Sequence, residues 1–239
     1  MKVYIMTPTT IILIIVILLL VYVLYAYLTA TVTKISSSAS LKTISPPITD
    51  VSSPRNTRYG YTVWVYVNTW DNNSAKTIFS RPKNMKLYLD NTSPTLKLDM
   101  TMNDNAASTN TMVITNNFPI QKWVCIAVSV DNQFVDAYLD GKLIKSQRFY
   151  MDNGAMPAIP SDSTASPIYL GNSEATANFG AFDAFISEFK RWTAPIDPQS
   201  AWDTYLAGNG TNSVSRAFSS YGIDVSVLKN NVEQTKFSF

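Results

Sequence analysis

From residue 58 onward, apolar and polar positions alternate in short runs. Turn-forming residues break them about every 8–12 residues, the spacing of an all-β sandwich. Tyr59–Val67 (YGYTVWVYV) places Tyr61, Val63, Val65 and Val67 on one face and Trp64 and Tyr66 on the other, because side chains alternate along a strand. Lys76–Arg81, Met85–Asp90, Thr95–Met102 and Met112–Thr115 read as further strands. Trp123–Ser129 is apolar on both faces, with Val124, Ile126 and Val128 on one and Trp123, Cys125 and Ala127 on the other. Such a strand belongs between two layers. Asp131-Asn132 then turns the chain into Phe134–Leu139, and Asp140-Gly141 turns it again. Asp-Gly between alternating strands predicts a type I′ hairpin. Its register pairs Leu139 with Lys142, Tyr138 with Leu143, Ala137 with Ile144, and Asp136 with Lys145 as a favourable cross-strand pair.

Other patterns flank this region. Residues 1–8 form an N-terminal tail. Ile11–Leu28 (IILIIVILLLVYVLYAYL) contains no charge, Gly or Pro. Extended to residues 9–30 it gives about 33 Å of helix, enough to span a bilayer. Tyr22, Tyr25 and Tyr27 cluster at one end, as interfacial aromatics do. A cleaved signal peptide is the rival reading, but its apolar region is usually shorter and no Ala-x-Ala site lies near Ala26 or Ala30. Residues 31–57 read as a Ser/Pro-rich linker, in which Ser36–Ser38, Ser45-Pro46-Pro47 and Ser52-Ser53-Pro54 favour extended, solvated chain. Asp197–Leu206 reads as a short helix. The tail, 209–239, carries a candidate strand at Gly222–Leu228 that either adds to a sheet edge or belongs to a partly ordered terminus.

Composition narrows the function. Net charge is +2, with no run of Lys or Arg, which argues against a nucleic-acid partner. Histidine is absent, which removes Ser-His-Asp and Cys-His nucleophiles and imidazole zinc sites. The single cysteine, Cys125, cannot form an intrachain disulfide and reads as a buried small hydrophobe rather than a reactive thiol.

The pattern W-V-x-I-A-V-S-x-D followed by V-D-A-Y-L-D-G-K-L, at 123–143, resembles the central hairpin of laminin-G-like, concanavalin A-like domains. Pro167–Trp192, with its Leu-Gly-Asn and Phe-Asp segments, is similar to the later part of that fold. The resemblance covers Arg58 to Gly208. It implies an all-β, concanavalin A-like (laminin-G-like) antiparallel β-sandwich jelly roll over 58–208, here preceded by one transmembrane helix. For function it is weak, since the sandwich hosts lectins, glycosidases, adhesion modules and virion proteins.

Glycosidases of this fold typically carry two glutamates bracketing an aspartate on one strand. Here only Glu188 lies in a candidate strand. Asp183, five positions away, would face the opposite side of a regular strand. No catalytic residue is assigned, and no enzyme is expected. Laminin-G-like domains hold Ca²⁺ at a loop rim, and Asn103-Asp104-Asn105, Asp131-Asn132 and Asp152-Asn153-Gly154 are the loops with suitable oxygens. Such pairs are more often ordinary turn residues, so no metal and no cofactor is assigned. Trp70 is a candidate for stacking on a sugar ring or for the core. Trp192 and Trp202 are expected at the seam between the last strand and the helix. The sequons at Asn72, Asn91 and Asn209 are no more than chance predicts.

The overall layout is similar to membrane-anchored, laminin-G-like minor capsid proteins of large icosahedral DNA viruses with an internal membrane. The expectation is therefore a non-enzymatic structural protein at the virion's membrane–capsid interface. It would meet lipid through residues 9–30 and capsid or scaffold proteins through the sandwich and the C-terminal tail. A cell-surface carbohydrate-binding or adhesion module is the alternative.

Overall fold

The computed structural model describes residues 8–28, 32–51, 56–72, 74–161, 166–174, 182–210, 224–229 and 232–238, with 8–11, 26–28 and the last two segments as backbone only. The elements are α1 (Pro8–Leu28), β1 (Val32–Ser40), β2 (Arg58–Val67), β3 (Lys76–Arg81), β4 (Met85–Leu89), β5 (Leu96–Thr101) and β6 (Thr109–Thr115). Then come β7 (Trp123–Asp131), β8 (Phe134–Leu139), β9 (Lys142–Arg148), β10 (Tyr169–Leu170), β11 (Ala184–Trp192), α2 (Pro198–Ala207), β12 (Asp224–Lys229) and β13 (Val232–Ser238). A six-stranded sheet, ordered β1-β11-β2-β7-β8-β9, faces a five-stranded sheet, ordered β10-β3-β4-β5-β6.

The alternation read from the sequence is the cause of this layering. Val63, Val65 and Val67 of β2 and Val124, Ile126 and Val128 of β7 meet Leu87, Leu89, Leu96 and Leu98 of the facing sheet in one buried core. Tyr61, Phe79 and Phe189, from β2, β3 and β11, form its aromatic centre, with ring centroids 4.9–6.0 Å apart. The opposite face of β7 is covered too. Ala127 and Tyr138 pack with Ile196 and Ala201, and Trp192 lies against them. Helix α2 thus roofs the outer face of the six-stranded sheet, where Tyr205 stacks on Trp64 with centroids 5.8 Å apart. Asp197 caps the helix by accepting from the Ser200 N–H at 2.9 Å. Trp192 sits at the expected seam, and Trp202 packs at a tilt against Tyr205, ring centroids 5.4 Å apart.

Four expectations change. The first concerns the β8–β9 hairpin. Asp140 and Gly141 take positive φ, as a type I′ turn requires, and Leu139–Lys142 and Tyr138–Leu143 pair as read. A register shift then sets Ala137 opposite Lys145 and Asp136 opposite Ser146. Ile144 is the extra residue, which removes the Asp136–Lys145 pair. Second, the linker expected over 31–57 is not free chain at its start. Val32–Ser40 is hydrogen-bonded along β11, and Leu41 is buried. A Ser-rich stretch becomes a strand because β11 offers it an open ladder edge.

Third, the tail strand pairs with β13 in its own two-stranded sheet. Fourth, among the described residues no helix is long and apolar enough to cross a membrane. Side chains are described in α1 only from Ile12 to Tyr25, about 21 Å of helix, against a hydrocarbon core of about 30 Å. These side chains are exposed throughout. Residues 1–7 of the N-terminal tail and residues 211–223 lie outside the described residues, as do Asn73 and Thr211 of two sequons.

Candidate functional site: a groove on the outer face of the six-stranded sheet

Where β11 crosses from β1 to β2, the outer face carries a row of aromatic side chains. Phe185 pairs with Tyr66, and Tyr66 pairs with Trp123. Neighbours on either side, Ala184, Ile186, Val65, Val67 and Val124, point into the core, so period-2 alternation turns these three rings outward. Adjacent strands lie about 4.8 Å apart, so the row spans about 10 Å. The Tyr66 and Trp123 rings pack together, centroids 5.5 Å apart, and Phe185 remains substantially exposed. Trp123 and Phe185 line an open groove of about 660 Å³.

The groove's walls come from the two flanks of the sandwich. Lys34 and Ser37–Ser40 of β1 form one wall, and Asn209 and Gly210, just past α2, contribute to the other. Ser187 lies between them, its hydroxyl within 3.0 Å of the Ser37 carbonyl and 2.6 Å of the Asn209 carbonyl. Next to it, Glu188 accepts from Lys34 and, at 3.0 Å, from Lys190. A register shift between Ser187 and Lys190 and a φ of 49° at Glu188 mark a bulge. It turns Ser187 and Glu188 both outward, while Ile186 and Phe189 stay in the core. Burial pushes the Glu188 carboxyl up, but its bonds to Lys34 and Lys190 outweigh this and hold it below the usual carboxylate range.

Other candidates fare differently. Asp183 accepts from Asn68 at 2.9 Å and Thr69 at 2.7 Å, so it and Glu188 are each bound by separate partners. The Asn103–Asn105 and Asn153-Gly154 loops do meet, around a polar depression of about 320 Å³. Asp104 is the one carboxylate lining it. Both Asp104 oxygens accept from Ser108, which holds that carboxyl below its ordinary range. A hard cation takes six to eight oxygens, and among the described residues no cluster of three metal-ligating side chains occurs. Asp131-Asn132 lies elsewhere. Asp131 pairs with Arg58 at 3.1 Å, and Asn132 takes the positive φ of the turn.

Trp70 is half-buried against the core. Its indole N–H donates to Asn72 at 2.8 Å, and the buried Lys76 ammonium sits 4.6 Å over its ring, occupying the face a sugar would need. Cys125 is buried, and burial together with nearby Asp140 pushes its thiol up to about 12. Folded protein should therefore show no thiol labelling by an aromatic disulfide reagent at pH 8, and one thiol per chain after denaturation. Rapid labelling of folded protein would contradict this placement.

Two face-to-face antiparallel sheets with a helix roof and an aromatic-floored groove define a lectin-type β-sandwich. The chain belongs to the concanavalin A-like lectin/glucanases superfamily, whose family model matches residues 42–201. A search of curated proteins by sequence returns no match. Among solved structures the chain is similar to the receptor binding domain of botulinum neurotoxin D, at 14% identity and a TM-score of 0.52 over 73% of this chain and 45% of that one. It is also similar to the botulinum neurotoxin serotype D ligand binding domain in complex with N-acetylneuraminic acid, at 14% identity and a TM-score of 0.53 over 74% and 43%. The chain thus spans less than half the length of these neighbours. The family match leaves out β1, Asn209 and Gly210, so the groove lies where the family sandwich meets this chain's own flanks.

Proposed function

We propose that this protein is a non-enzymatic, membrane-tethered binding module that takes a glycan in the outer-face groove. The observation that carries this is the pair of rings, Trp123 and Phe185, that line the groove between hydroxyl-bearing and charged walls, at the two ends of the row that Tyr66 completes. A pyranose has an apolar C–H face and a hydroxyl rim, and its best receptor is a flat aromatic surface edged by donors and acceptors. The row's length of about 10 Å suits a disaccharide. Ser38, Ser40 and the Lys34–Glu188 pair supply polar atoms at the rim. Absence of histidine and the separate binding of Asp183 and Glu188 support a non-catalytic role. The neighbour bearing N-acetylneuraminic acid is consistent with this reading, which rests on the residues of this chain. Residues 9–30 supply the tether, supported by their uncharged composition and by the exposed apolar surface from Ile12 to Tyr25, which calls for a covering phase.

A glycan array probed with the full chain in detergent tests the reading. Trp123→Ala should weaken the best hit about tenfold, the worth of one aromatic contact, without changing the thermal midpoint appreciably. Binding unaffected by Trp123→Ala would move the ligand out of the groove.

A second reading, a bracket between an internal virion membrane and its capsid shell, is favoured by β9. This sheet-edge strand carries Lys142, Lys145 and Arg148 with exposed Leu143 and Ile144, a surface suited to a protein partner. Crosslinking on intact source material would support it through dense links from Lys142 and Lys145 to one abundant protein. Self-links alone would remove it.

A further inference from the structure

We infer that β1 is a detachable wall of the groove, so that the segment joining the apolar helix to the sandwich also gates the binding site. This rests on the groove being the site. β1 is an edge strand, bonded to β11 alone. It adds little to the core, since only Ile35 and Ala39 pack against it, both partly buried. Its sequence, VTKISSSAS, has low strand propensity beyond Val32–Ile35. Docking instead depends on ladder bonds, the Lys34–Glu188 contact and the Ser187 hydroxyl on the Ser37 carbonyl. Such a strand opens at a small fraction of the global unfolding free energy.

The opening has a defined extent. Val32 pairs with Trp192 at one end and Ser40 with Phe185 at the other. A pull arriving from α1 loads the Val32 end and breaks pairs one after another towards Ser40. It stops at Leu41, which is 1% exposed and donates its N–H to the Ala184 carbonyl at 2.8 Å. Lys34 and Ser37–Ser40, the whole N-terminal wall, lie in the part that peels. The sandwich core begins beyond it. By linkage, a ligand resting on this wall holds β1 down as strongly as a docked β1 holds the ligand.

The test is hydrogen exchange read by mass spectrometry on the full chain in detergent micelles, with cellobiose and chitobiose as probes. Two variants bracket the wild type. Lys34→Glu sets like charges against Glu188, and Ser38→Cys with Ser187→Cys, which are paired residues, locks the strand when oxidised. The expected result is exchange over residues 33–40 raised at least tenfold by Lys34→Glu, unchanged in β2 and β7, and suppressed in the oxidised double variant. A saturating disaccharide should slow exchange over 33–40 in wild type and lose that effect in Lys34→Glu.

If Lys34→Glu raises exchange equally in β2 and β7, β1 belongs to the global folding unit and the inference falls. It falls too if the oxidised lock leaves exchange over 33–40 unchanged. If β1 is released as expected but neither disaccharide slows it, the detachable strand stands and the glycan reading of the groove fails.

Discussion

Replacing Phe189 by alanine should lower the thermal midpoint of the full chain by roughly 6–20 °C. Phe189 is 0% exposed, and its ring lies 4.9 Å from Phe79 and 6.0 Å from Tyr61. Phe79 belongs to the five-stranded sheet and Phe189 to the six-stranded one, so this contact holds the two layers together. Phe→Ala at such a site typically costs about 3–5 kcal/mol, because the lost burial is compounded by a cavity that rigid sheets cannot close. At about 2–4 °C per kcal/mol for a chain of this size, the midpoint shift follows. The neighbouring Phe185→Ala is the control. That ring is on the same strand but 41% exposed, and its loss should cost about 0.5 kcal/mol or less. Near-UV circular dichroism during thermal unfolding reads both. Equal shifts for the two variants would mean that Phe189 is not the inter-sheet anchor.

The same strand shows what was legible in the sequence. Period-2 alternation located β2 and β8, and a run apolar on both faces located β7, each to within a residue or two. The Asp140-Gly141 turn is local chemistry, and both residues take the positive φ it calls for. β11 is different. Its alternation breaks at Ser187-Glu188, where a bulge inserts a residue, and nothing local in FISEFK announces it. At the bulge Glu188 meets Lys34, 154 positions away, a partner that no local pattern indicates.

β1 escaped for a related reason. Its residues have no alternation to detect, and its strand geometry comes from an open edge supplied by distant sequence. The groove compounds both effects, since residues 34–40, 123, 185–188 and 209–210 share no motif. Alternation places Tyr66 and Trp123 each on one face of its own strand, yet only the register brings them into one row with Phe185. Of the two roles open to Trp70 the structure gives the core one: it packs against the core, and Lys76, the first residue of β3, lies over its ring, a contact that spacing alone does not reveal.

Gly60→Val should detach the helix roof from the sheet, lowering the midpoint by about 2–12 °C and erasing much of the near-UV signal of Trp64 and Tyr205. Gly60 lies on the outer face of β2, between Tyr59 and Tyr61, which point into the core. A Cβ there would stand 2.6 Å from the Ile196 side chain and 2.9 Å from the Val128 carbonyl oxygen, both below any tolerable contact. The carbonyl is fixed in the sheet. Ile196 has no room to retreat, being 2% exposed and tied by its N–H to the Ser129 hydroxyl at 2.8 Å. Relief therefore comes from lifting the 193–197 segment, and α2 begins at the next residue. Overpacking of this kind costs about 1–3 kcal/mol, which at about 2–4 °C per kcal/mol sets the midpoint shift. The spectral change distinguishes this from general destabilisation. Phe189→Ala should leave the folded-state signal of the Trp64–Tyr205 stack in place at low temperature, whereas Gly60→Val should reduce it before any unfolding begins. A Gly60→Val chain with wild-type near-UV dichroism would show that the roof is held independently of its contact with β2.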